Sequence, residues 1–179
     1  MEENNKVGWQ IMHVISWIIF IGLCIKTGSI LISFLVSLFV NPAGGSDLFL
    51  GLDLSALHNY HLWYYVCLVS ILVYVTGRKA YIFYLVTRFF SKINLTHPFS
   101  QEVYRLISSI SYVAFEIGIF LIISNAFVRW LSKRGVIFSD MHDYLGSVGE
   151  FLLLGGVIFV IAQVFKRGIA IQSENELTV

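Results

Sequence analysis

Charge is scarce in this chain, and so are proline and cysteine. Only 13% of its 179 residues are charged, 57% are hydrophobic, and the mean hydropathy is +0.78. An ordinary soluble domain carries about 25% charged residues, and a soluble fold of this length could not hide so much apolar surface. A water-soluble domain is therefore excluded, and the class is integral membrane. A net charge of +1 creates no basic field, so no direct nucleic-acid partner is expected. Cys24 and Cys67 both sit inside apolar runs; they are expected as buried small hydrophobes rather than as a disulfide framework. The N-terminal Met1-Glu2-Glu3-Asn4-Asn5-Lys6 lacks a basic leader. The apolar stretch behind it outruns signal-peptide length without a small-residue cleavage site, so it reads as a retained span.

What is present is four long apolar stretches, each able to cross a hydrocarbon core of roughly 30 Å as a helix. They run at about 9–40, 62–88, 106–128 and 144–165, with a polar tail at 166–179. The expected fold is all-α, a single transmembrane domain forming an integral membrane four-helix bundle in the lipid bilayer. The second stretch is short before Arg78 and Lys79, and Ala80 to Phe90 is expected to continue it as an amphipathic extension at the interface. Pro98 disfavours helix at His97. Ser100 is then a natural N-cap for the helix that follows, and Glu102 in the first turn complements its dipole.

Basic residues set the expected orientation. The segment Asn41 to His61 has no Lys or Arg, whereas Arg78, Lys79, Arg88, Lys92 and Arg105 crowd the next connection. With both termini cytoplasmic, eight basic residues lie inside against three outside, which the positive-inside rule favours. Trp9, Trp63 and Trp130 fall near the expected interfaces, as an aromatic belt requires.

Ionisable groups inside a span are functional candidates because each costs about 2.5–3.5 kcal/mol at the helix centre. Lys26, Glu116 and Glu150 qualify, with Gln163 as a further polar candidate. Helical spacing aligns Gly22, Lys26, Ser29, Ser33 and Ser37 on the first span and Arg105, Ser109, Tyr112 and Glu116 on the third. Gly149, Gly156 and Gln163 fall on one line of the fourth. Such stripes let helices approach closely and hydrogen-bond across the gap. Depth counting pairs Lys26 with Glu150, or otherwise with Glu116. Three readings stay open: an ion pair for packing and register; a proton or ion pathway or polar ligand cavity, as in a small transporter or channel component using Lys26, Glu116 and Glu150; or wrong span limits or snorkelling. The second expects a homo-oligomer, because four helices enclose little cavity.

His58 and His61 on one outer segment, with Asp140, His142 and Asp143 on the other, have no structural zinc spacing. They are expected as solvated loop polarity, with no metal. No nucleophile–base constellation, phosphate-cradling glycine loop or H-E-x-x-H is present, so neither an enzyme nor a cofactor is expected.

The most distinctive segment is Phe165-Lys166-Arg167-Gly168-Ile169-Ala170-Ile171-Gln172-Ser173-Glu174-Asn175-Glu176-Leu177-Thr178-Val179. The basic pair would anchor the fourth helix at the interface, and Gly168 would permit a bend. Together with His97-Pro98-Phe99-Ser100 and Glu102, this ending resembles the YoaS-like family of uncharacterised four-span bacterial membrane proteins, a domain of unknown function. His97 stands where members often have Asn, and Glu176 where they often have Asp. The resemblance implies a multi-pass protein of the bacterial cytoplasmic (inner) membrane without assigned catalytic residues. Such proteins are commonly encoded beside a small helix-turn-helix regulator, which implies a membrane sensor or a partner of that regulator. The tail then offers Gln172, Glu174, Asn175, Glu176 and Thr178 as interaction candidates.

Overall fold

The computed structural model describes residues 2–41, 47–93, 98–136 and 144–176. It is all-helical over these residues: α1 (Glu2–Phe39), the short α2 (Ser55–Tyr60), α3 (Leu62–Lys92), α4 (Gln101–Ser132) and α5 (Val148–Glu176). The four long helices form a four-helix bundle, and each is long and apolar enough to cross a membrane. Their lipid-facing character shows in what they leave uncovered. Ile11, Ile18, Ile25 and Ile32, spaced every seven residues along α1, are all more than half exposed, as are Leu153, Val157, Val160 and Val164 on α5. Cys24 and Cys67 also lie exposed and unbridged on α1 and α3, not buried as their apolar context suggested; in lipid an apolar context serves either side of a helix.

Neighbours pack in chain order and antiparallel. Along α1 and α3, Trp9 meets Phe89, Phe20 meets Tyr84 and Phe34 meets Tyr65. Along α3 and α4, Tyr64 meets Phe127 and Tyr74 meets Phe120. The core lies at these seams, with Leu68, Leu72 and Val75 of α3 against Ala114, Ile117 and Leu121 of α4, all fully buried. Ser100 caps α4 by accepting a hydrogen bond from Val103 N at 3.3 Å, and Glu102 pairs with Lys92 at 3.2 Å. His97 lies outside the described residues. Trp9 sits at the end of the bundle bearing the termini. Trp130 sits at the other end, against Tyr64 and Phe127.

Contacts between α4 and α5 depend on small residues. A Cβ at Gly118 would meet Leu152 at 2.6 Å, and one at Gly155 would meet Phe115 at 3.0 Å. Ser111 Oγ donates across the seam to Gly155 O at 2.8 Å. The seam is thus Gly155 and Ala162, one residue away from the line Gly149, Gly156 and Gln163 that spacing suggested. Gly156 has nothing against it and Gln163 is exposed. On α4, likewise, Arg105 and Tyr112 point outward. Both faces of a membrane helix are apolar enough that spacing alone does not say which one a neighbour covers.

Two segments between helices fold back onto the bundle at the end away from the termini. Leu48, Leu52, Leu54 and Leu57 are fully buried there, and Tyr144 donates from its hydroxyl to Leu50 O at 2.8 Å. Irregular backbone at membrane depth is tolerated where protein covers it.

Candidate functional site

The polar residues of the helices gather at one level, in two separate clusters. On α3, Arg78 and Lys79 are adjacent, about 100° apart around the helix, and each serves a different cluster. Arg78 forms an ion pair with Glu116 of α4, and Tyr74 donates to the other carboxylate oxygen. The Arg78 guanidinium also lies over the Tyr81 ring at 5.1 Å. Glu116 is thereby matched in charge and hydrogen bonding within α3 and α4.

Lys79 turns the other way. Its Nζ donates to Leu145 O at 2.6 Å and stands 5.1 Å from the centre of the Phe151 ring. Gly146, at φ +85°, comes so close that a Cβ there would stand 3.2 Å from Lys79 Nζ. That approach explains a glycine in the turn before α5, since a left-handed backbone also suits it. Lys26 and Glu150 both lie within electrostatic reach of the Lys79 ammonium. Lys26 Nζ itself sits over two rings, Phe49 at 5.6 Å and Tyr144 at 5.7 Å.

This arrangement corrects the expected charge pairing. Among the described residues Lys26 forms no ion pair with Glu150 or Glu116: Glu116 is taken by Arg78, and Lys26 stands over the Phe49 and Tyr144 rings. Arg78 and Lys79 belong to the middle of the 31-residue α3, not to the connection after it. Without them the basic count across the two faces is six against three, so the asymmetry keeps its sign. The informative signal was the apolar run Ala80 to Phe90, which extends the helix well past the two charges.

Below Lys79 lies a cleft of about 410 Å³ between α1 and α5, floored by α3 and α4. Leu23 of α1, Phe83 and Val86 of α3, Ile110 of α4, and Phe151 and Ile158 of α5 line it. Among its described lining residues, Lys79 alone has a polar side chain. Glu116 stands six residues from Ile110, about 240° around α4, and so lies off this groove.

The remaining candidates lie on α5, which continues as helix through most of the expected tail to Glu176. Gly168 does not interrupt it. Instead Gly168 admits the Phe99 ring, to which a Cβ would come within 2.5 Å, and Phe165 meets the same ring edge-on at 5.4 Å. The Pro98-Phe99-Ser100 turn and the start of the tail, far apart in sequence, are thus one contact. Gln172 is half-buried and Glu174 exposed; the side chains of Asn175 and Glu176, and all of Thr178, lie outside the described residues. His58 packs edge-on against Tyr65 at 5.0 Å and His61 stacks on Tyr64 at 4.5 Å. Asp140, His142 and Asp143 are outside the described residues, among which no group of three or more potential metal ligands occurs.

Fold and site together define a multi-pass helical membrane protein with a lysine-headed apolar groove. The family model described as protein of unknown function (DUF2975) matches residues 52–179, and the chain belongs to that family. The match takes in α2 to α5, with Lys79, Glu116, Phe99 and Gly168, and leaves out α1 and Lys26. No curated protein and no solved structure matches the chain.

Proposed function

We propose that the protein is a non-enzymatic sensor of the bacterial inner membrane, of the YoaS-like type, whose α5 end engages a cytoplasmic regulator protein. The observation that carries this reading is the continuity of α5. One helix begins beside Lys79 and Leu145 at the head of the groove and passes the Phe99 contact at Gly168. It then runs eight residues further, about 12 Å, to Glu176. A rigid helix that touches the groove at one end and projects beyond α4 at the other can couple the two. The six-to-three basic asymmetry supports placing both termini in the cytoplasm. The transport reading has less support, because Glu116 is paired with Arg78 off the groove and neither Lys26 nor Glu150 lines it.

The test is deletion of Gln172 to Val179, which leaves Phe165, Gly168 and the Phe99 contact in place. Membrane insertion should be retained, and recovery of a cytoplasmic partner from cross-linked cells should be lost. Equal recovery by the truncated chain would overturn the proposal.

A further inference from the structure

The groove has a chemical polarity of its own. Its walls are aliphatic and aromatic, and one ammonium, that of Lys79, stands at its head, with that of Lys26 within electrostatic reach. Each ammonium has three donors. Among the described residues Lys79 has one acceptor, Leu145 O, and Lys26 has only the two ring faces. Glu150 lies within electrostatic reach of Lys79, but among the described residues neither lysine forms an ion pair, and Lys79 stands in the middle of α3 with donors to spare. A charge in that setting is costly unless an anion meets it. From Phe151 to Ile158 the apolar wall descends seven residues, about 10 Å.

We propose that the groove holds a single-chain amphiphile with a singly charged anionic head, a long-chain fatty acid drawn from the surrounding bilayer. The carboxylate lies at Lys79, meeting its spare donors, and the chain runs down past Phe83, Val86 and Ile158. Lipid tails are as apolar as these walls, so the chain supplies fit and the head supplies selectivity. As the input of the sensor, the acid takes its biological meaning from the proposed function. Its binding requires no partner, and the two proposals can fail separately.

The experiment uses the full chain in phosphatidylcholine nanodiscs and displacement of a fluorescent fatty acid by palmitate, hexadecanol or acetate. Palmitate should compete about tenfold or more better than hexadecanol, the worth of one charged hydrogen bond, and acetate should not compete. Lys79→Met should remove the preference and Lys79→Arg should keep part of it. Leu154→Trp, on the groove wall, should fill the slot and weaken palmitate by a similar factor. Equal competition by acid and alcohol, competition by acetate, or a preference that survives Lys79→Met would overturn the proposal. If Lys79→Met does not fold, undiminished palmitate binding by Leu154→Trp overturns it, and lost binding with an unchanged melting temperature upholds it.

Discussion

Gly168 lies so close under the ring of Phe99 that no side chain fits between them. Gly168→Ala should therefore lower the melting temperature in detergent. Overpacking costs about 1–3 kcal/mol, offset by at most about 1 kcal/mol of helix propensity. Phe99→Ala in the same chain should remove most of that added cost, so the two substitutions should be non-additive. Additive losses would show that the ring yields without strain.

Glu116 and Arg78 should behave as a unit. Glu116→Leu alone leaves the guanidinium without its carboxylate. The loss should fall toward the low end of about 3–5 kcal/mol, since both side chains keep about 30% of their exposure. The double substitution with Arg78→Met should cost less than either single one. Lys26→Met combined with Glu116→Gln should instead be additive within about 0.5 kcal/mol. Thermal unfolding in detergent of the single and double variants measures both cycles.

Leu50 holds a left-handed backbone at φ +47° with its side chain 80% exposed. That conformation costs a non-glycine residue roughly 1–2 kcal/mol, and asparagine tolerates it better. Leu50→Asn should raise the melting temperature by an amount equivalent to about 1 kcal/mol or less. Its carbonyl, which accepts from Tyr144, is untouched by the change. A fall would mean that the leucine side chain contributes more than its backbone costs.

Orientation can be read by labelling single cysteines in a chain lacking Cys24 and Cys67. From outside intact cells, a cysteine at Asp53 should be modified and one at Ser173 should not. Labelling at Ser173 from outside would reverse the proposed topology.

Much of the architecture was legible because it follows from composition and local chemistry. The apolar stretches marked the four long helices, and the Pro98–Ser100 signal located the start of α4 with its cap. The site was less legible. Lys26, Glu116 and Glu150 stood out as costly in the sequence, but their partners were not evident, since Arg78 and Lys79 looked like interface charges after a short span. Phe99 and Gly168 were each part of a distinctive segment, with nothing local to say that they touch.

The sequence by itself determined that this protein is a helical membrane protein, because an excess of apolar residues over charge admits no other solvent. It also determined the charge asymmetry between the two faces. Tertiary structure alone decided which charges meet. A helix carries Arg78 and Lys79 on different sides, and only the packing of α4 beside α3 gives Arg78 to Glu116. Only the return of the segment before α5 gives Lys79 to Leu145 and sets the Tyr144 ring under Lys26. In a membrane every outward and inward face is apolar, so periodicity loses the contrast that would reveal the core, and the contacts themselves become the deciding information.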